Sequence, residues 1–286
     1  MFGYIIALGR FASDGLRGLG EIAILLLRCL RWLARGIRYK RETVQQFYFI
    51  GVQSLPVILT TGAFVGGVMS YTFYNQFITL SVGSWTGAIV YKAMVWQLAP
   101  VLVALMLAGR VGCAITAEIG TMNVTEQIDA LDTMGTDPVN YLVLPRVLAG
   151  FFMTPALTMF AILIGIGAGL FMTVAVQGAE FHFQWTPITD WIDAYDFVHA
   201  LSKSFVFGAT ISLICCRNGL KTTGGAEGVG KATTSANVSS CIAVLMLNFI
   251  LSILLYYFRP VYDVMRLWLD YVWAGGINYL TSWFAA

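Results

Sequence analysis

Residues 147–177 read VLAGFFMTPALTMFAILIGIGAGLFMTVAVQ, 31 positions without one Asp, Glu, Lys or Arg. About 20 consecutive apolar residues, rising 1.5 Å each as a helix, cross the hydrocarbon core of a bilayer. This run is longer, so it predicts a transmembrane helix that tilts or projects beyond the membrane. Working outward, four more apolar runs appear. They cover about 47–74 (with Pro56 and Gly62-Ala-Phe-Val-Gly66), 88–117 (with Pro100), 198–216 and 237–258. Composition agrees: 58% of residues are hydrophobic and 11% charged, where a soluble domain carries about a quarter charged. The chain therefore reads as an all-α membrane protein with five transmembrane helices. Its net charge of +2 gives no electrostatic case for nucleic acid.

The flanks divide the chain into three parts. Residues 1–44 form an N-terminal region with eight Lys/Arg, and Leu16, Leu19, Ile22, Ala23, Leu26, Leu27, Leu30 and Leu33 follow helical spacing. Such a basic amphipathic helix is expected at the membrane interface, its apolar face in lipid and its arginines at the headgroups, with a packed soluble helix as the alternative. It is not expected to be a cleavable signal peptide, because Arg keeps interrupting its apolar residues. Residues 45–258 hold the five spans. Residues 259–286 begin at Arg259-Pro260 and carry Trp268, Tyr271, Trp273, Tyr279 and Trp283 with Asp263, Arg266 and Asp270. They read as an amphipathic tail helix on the outer face, with a sixth span as the alternative. Segments 75–87 and 179–197 contain no Lys or Arg, whereas the N-terminal segment and 217–236 do. The positive-inside rule then puts the N-terminus in the cytoplasm and the loop 118–145 inside by alternation.

That inner loop is the most informative segment. With its flanks it runs AGRVGCAITAEIGTMNVTEQIDALDTMGTDP over 108–138. Asn123 can cap a helix with Glu126 three residues on, and Gly135 and Pro138 mark its end, which predicts a helix over about 122–134. Val124, Ile128, Leu131 and Met134 share one stripe; Glu126, Asp129 and Asp132 lie largely elsewhere. Such a helix can dock into a partner's groove or pack beneath its own bundle, and the pattern leaves both open. Arg110 and Glu118, on one helical segment near the inner end of span two, and Arg146 beyond the loop read as structural ionisable groups, with Arg110 a partner for the loop's acids.

The run Gly109-Arg-Val-Gly, Ala117-Glu-Ile-Gly-Thr-Met122, Glu126-Gln127 and Met134-Gly-Thr-Asp-Pro138, closed by Pro145-Arg146, resembles the MlaE/YrbE-type permeases of MCE-associated ABC lipid transporters. Asn218-Gly219 and Lys231-Ala-Thr-Thr234 add weaker similarities, and the likeness covers about 47–258. It implies a membrane homodimer that moves phospholipid or a related lipid; of a bacterial inner membrane and a plastid envelope, the want of a transit-like segment favours the bacterial one. It also implies cytoplasmic ABC ATPase subunits that hold ATP-Mg, and a periplasmic MCE-domain protein. The helix at 122–134 becomes a coupling helix to the ATPase, through Glu126, Gln127, Ile128, Asp129, Leu131, Asp132 and Met134. Tyr74 falls at a pocket-facing position, with Tyr71 and Gln97 completing the expected lipid pocket. One departure stands out: where many members have Arg-Glu-x-Gly-Pro in span two, this chain has Trp96-Gln-Leu-Ala-Pro100.

Other motifs are weaker. Gly225-Ala-Glu-Gly-Val-Gly-Lys-Ala232 nearly spells a phosphate-binding loop, but Ala232 stands where Ser or Thr is needed and no strand precedes it. The chain is therefore expected to bind no cofactor of its own. Gly62-x-x-x-Gly66 and Gly165-x-x-x-Gly169 permit close helix approach, within one subunit or across a dimer seam. Cys29, Cys113, Cys215, Cys216 and Cys241 form no metal or redox motif. No catalytic triad, carboxylate pair or metal set appears, which argues against an enzyme. The alternatives are a secondary transporter or channel for small solutes, and a non-transporting scaffold. Spans three and five contain no ionisable Asp, Glu, Lys or Arg, which disfavours ion coupling.

Overall fold

A computed structural model describes residues 2–36 and 38–284, with side chains described over 17–36 and 38–266. Among the described residues eleven α-helices follow one another: α1 Phe2–Ala34, α2 Lys40–Ile50, α3 Leu55–Thr79, α4 Thr86–Ala93, α5 Ala99–Leu107, α6 Cys113–Val124, α7 Gln127–Thr133, α8 Leu144–Phe171, α9 Phe181–Trp191, α10 Ala194–Leu220 and α11 Gly225–Phe284. No strand occurs among the described residues. Short π-helical turns join α4 to α5, α5 to α6 and the loop to α8. Five continuous helical stretches are long and apolar enough to cross a membrane: Lys40–Thr79, Gly83–Val124, Val139–Val176, Ala194–Leu220 and Gly225–Arg266. Each contains one of the five apolar runs.

Contacts at the two ends of the bundle support the alternation of loops. At one end Glu21 of α1 meets Arg217 at the close of α10, and Trp32 Nε1 donates to Asp137 Oδ2 at 2.9 Å. At the other, Gln184 of α9 donates to the carbonyl of Gly83 at 2.9 Å and accepts from Gly87 N at 3.0 Å. The basic N-terminal segment, the 118–145 loop and 217–221 thus share one face. The 83–87 turn and α9 share the other, where α9 fills much of what reads in sequence as a plain loop.

The two Gly-x-x-x-Gly motifs meet each other inside one chain. A Cβ on Gly66 would stand 2.0 Å from the carbonyl oxygen of Gly165, and one on Gly62 3.1 Å from that of Ala161. Small residues let α3 and α8 touch backbone to backbone, where dispersion and Cα–H···O contacts hold them in place of a hydrophobic drive that lipid does not supply. This packing accounts for both motifs without a dimer seam. Gly150 of α8 and Gly208 of α10 repeat the device: a Cβ on Gly208 would lie 2.1 Å from the Gly150 carbonyl.

Helix α1 keeps Leu25 and Cys29 buried but leaves Leu19, Ile24, Leu27 and Leu30 exposed, the uncovered apolar face expected of an interfacial helix. The tail is helical, and it continues span five without a break. Pro260 lies inside α11, 60 residues long. Asp193 receives Arg259 and Arg266, each at 3.5 Å, and so braces this helix just beyond the span. The tail's aromatic residues, Trp268 to Trp283, lie outside the described side chains. The near phosphate-binding sequence at 225–232 forms the first turns of α11.

The ionisable residues pair differently from expectation. Arg110 does not reach the loop acids; its Nη1 donates to Ser54 Oγ at 2.5 Å, and its guanidinium lies 5.8 Å from the Phe49 ring centre. Glu118 is instead held by Arg146, 2.9 Å away and 3% exposed, which also donates to the Leu142 carbonyl.

Candidate lipid cavity and cytoplasmic-loop helix

Span two changes its hydrogen-bond register just ahead of Pro100. Having no N–H, Pro100 cannot bond the carbonyl four residues back, that of Trp96. A π-helical turn, Met94–Leu98, absorbs the mismatch. The freed carbonyl receives Lys203 Nζ at 2.9 Å from span four. The same ammonium donates to Ser252 Oγ at 2.9 Å and Gln97 Oε1 at 3.3 Å. Gln97 Nε2 donates to Ser252 Oγ at 3.1 Å, so spans two, four and five converge on these groups. Lys203 is 0% exposed.

Two turns outward along α10, Asp196 collects a second cluster. Its carboxylate accepts from Lys92 Nζ at 2.6 and 2.8 Å, Trp96 Nε1 at 2.6 Å and Tyr91 Oη at 3.1 Å. It also accepts from the backbone N–H of Asp193, closing a capping box at the start of α10. Two cations thus stand against one carboxylate. Lys92 satisfies Asp196, and Lys203 is left solvated by a carbonyl, an amide and a hydroxyl. Asp196→Asn keeps much of this geometry but removes the charge. It is expected to cost about 1.5–3 kcal/mol, the worth of hydrogen bonds to a charged group, and a melting curve of the purified protein would register the loss.

These groups back a cavity of about 670 Å³ lined by Trp96, Gln97, His199, Asn248, Phe249, Ser252, Ile253, Tyr256 and Tyr257. Trp96 and His199 stack with ring centres 4.8 Å apart. His199 Nδ1 and Asn248 Oδ1 are buried without a hydrogen-bond partner. Phe249, Ile253, Tyr256 and Tyr257 form an apolar wall on α11, a helix that leaves most of its apolar face uncovered. The hollow offers what an amphiphile requires: a wide greasy side and a few polar groups on the opposite side.

Of the expected pocket residues, the structure brings only Gln97 here. Tyr71 is 47% exposed on α3, near Gln177, whose Nε2 donates to its carbonyl. Tyr74 lies near Gly83 at the end of the bundle. Neither lines the cavity. Sequence reasoning misses three groups that shape the site, Lys203, Asp196 and Lys92. The signal that marks Lys203 is its own position, a lone cation within an apolar run.

The loop helix is shorter than its sequence markers suggest. α6 runs through Val124, and α7 starts after Glu126, which adopts a left-handed backbone with φ +60°. Asn123 caps nothing; its amide donates to the Thr222 carbonyl at 2.9 Å and ties the two loops of this face together. Gly135, at φ +73°, does end the segment. The apolar stripe divides: Ile128 is buried and Leu131 half-buried against the chain's own bundle, while Met134 is 79% exposed. The outward face consists of Glu126, Gln127, Asp129, Asp132 and Met134, so a partner here would meet acids and a methionine, not the stripe.

A family profile described as Permease MlaE matches residues 43–254. A probable ABC transporter permease protein of Synechocystis sp. is 40% identical over 217 residues, 76% of this chain and 82% of its own length. One from Rickettsia bellii is 38% identical over 236 residues, 82% of this chain and 91% of its own length. A chloroplastic protein of Arabidopsis thaliana, named trigalactosyldiacylglycerol 1, is 37% identical over 236 residues, 82% of this chain and 67% of its own length.

Proposed function

The chain belongs to the MlaE permease family, and from that premise we propose that it moves phospholipid or a related lipid as the membrane subunit of an ABC transporter. The observation that carries the cargo reading is the cavity at Gln97. A fully buried ammonium with no carboxylate partner among the described residues stands behind Gln97 and Ser252, and four large apolar side chains of α11 line the cavity. The lipid name of the Arabidopsis relative points the same way. Two copies form the working unit, with the uncovered face of α11 turned toward the partner copy, so that the cavity becomes shared. Separate ATPase subunits hold ATP-Mg on the face that carries α7, and the acids of α7 transmit their movement. An MCE-domain protein receives or delivers lipid on the opposite face. The membrane is a bacterial inner membrane and the N-terminus cytoplasmic, as the arginines of α1 favour.

Native mass spectrometry of the complex purified through a tag on this chain tests the reading. Two copies with two ATPase subunits and bound phospholipid are expected. Recovery of this chain alone and lipid-free would overturn it. The role of α7 has a separate check in Glu126→Gly. Glycine tolerates positive φ, so folding stability should stay within about 1 kcal/mol of the parent. ATP-driven lipid transfer should nevertheless fall several-fold, because the loop helix loses both its rigid entry and an outward acid. Unchanged transfer in proteoliposomes would remove Glu126 from the coupling surface.

A further inference from the structure

A second cavity, of about 210 Å³, lies at the other end of the bundle, between α1 and the close of α10. Leu25 and Leu220 give it an apolar floor, and Glu21, Arg28, Arg217 and Lys221 give it charge. Glu21 accepts from Arg217 Nη2 at 2.6 Å and Nε at 2.7 Å, and also from Lys221. Hydrogen bonds from Lys221 and then Arg217 hold its carboxyl below the usual range, so it stays ionised. Even so, three cations of the lining face one carboxylate. Among the described residues Arg28 makes no ion pair. Arg17 approaches the same carboxylate, at 4.0 Å, and adds to the excess.

Beside this hollow runs the uncovered apolar row of α1, with Ile24 55%, Leu27 61% and Leu30 51% exposed. A free anion would use the cations and leave that row bare. An amphiphile with a negative head uses both: its phosphate sits among Arg28, Arg217 and Lys221, and its chains lie along Ile24 and Leu27. Basic hollows at the membrane surface hold anionic headgroups on this principle. We propose that the cleft between α1 and the end of α10 seats the headgroup of a resident anionic phospholipid, separate from the transported lipid. The seat clamps the interfacial helix to span four. Because α1 continues to Trp32, which holds Asp137 just beyond α7, lipid composition at this face would also bear on the loop helix.

The test uses the intact complex in phosphatidylcholine nanodiscs doped with phosphatidylglycerol, with tightly held lipids counted by native mass spectrometry. The variant Arg28→Gln/Lys221→Gln leaves the Glu21–Arg217 pair in place. Each cation near the surface is worth about a fivefold change in affinity, so the double variant should bind phosphatidylglycerol about 25-fold more weakly. Phosphatidylcholine and any lipid in the Gln97 cavity should be retained as in the parent. Arg28→Lys alone, which keeps the charge, should retain phosphatidylglycerol like the parent. Equal retention of phosphatidylglycerol by the parent and the double variant would overturn the seat. Displacement of the lipid by millimolar inorganic phosphate would overturn its assignment to a lipid.

Discussion

Lys203→Met is expected to yield a folded permease that barely transports. The ammonium is fully buried and contacts no carboxylate among the described residues; its partners are the Trp96 carbonyl, Gln97 Oε1 and Ser252 Oγ. Replacing a buried charge by an apolar group of similar volume is often neutral for stability, because the desolvation cost of the ion disappears with it. Gln97 and Ser252 remain bonded to each other through Gln97 Nε2; the Trp96 carbonyl loses its donor, and so does Gln97 Oε1, which belongs to an exposed side chain on the cavity. The cavity, in contrast, loses the one positive charge that its own acid does not already balance. Acting through space from behind the polar wall, one unit charge a few ångströms from a lipid phosphate is worth about 2–3 kcal/mol at an effective dielectric of about 20, and its loss lowers transfer roughly 30- to 150-fold. Lipid transfer in proteoliposomes, measured beside a melting curve, separates the two effects. Transfer within a factor of three of the parent would remove Lys203 from the lipid path.

Gln97 was legible in sequence, but the partners of Lys203 were not, and the reason is distance along the chain. Gln97 announces itself three residues before Pro100, where the resemblance leads one to expect an acid. Lys203 lies 106 residues on, and Asp196 reaches Lys92 across 104. One sequence contains no record of such pairings. Periodicity and length are local properties, and for that reason the five spans and the exposed face of α1 were readable. The loop helix shows the boundary between the two kinds of information. Gly135 stops it as a local rule requires, whereas Asn123, a good cap by the same rules, is diverted to the Thr222 carbonyl by a neighbouring loop. Tertiary partners also decide the Gly-x-x-x-Gly motifs. The spacing declares close approach, but only the fold says that Gly66 faces Gly165 of its own chain.

Gly66→Ala is accordingly expected to prevent folding, although it adds a single methyl group. The new Cβ would stand 2.0 Å from the Gly165 carbonyl oxygen, 2.6 Å from its carbonyl carbon and 2.7 Å from its Cα. All three are backbone atoms of α8, so no flexible side chain can yield. Relief requires α3 and α8 to separate, and separation forfeits the short contacts that hold two helices together in lipid. Ordinary overpacking costs about 1–3 kcal/mol, and a displaced helix pair costs more, because Gly62 and Gly169 lose their approach at the same time. Gly67→Ala supplies the control. It adds the same methyl one residue along the same helix, where its nearest neighbour is 4.0 Å away. The control should accumulate in membranes and run as one species on size exclusion, whereas Gly66→Ala should be degraded or aggregate. Equal yield and equal melting temperature for the two variants would mean that the α3–α8 seam is not the tight contact on which the positions of spans one and three depend.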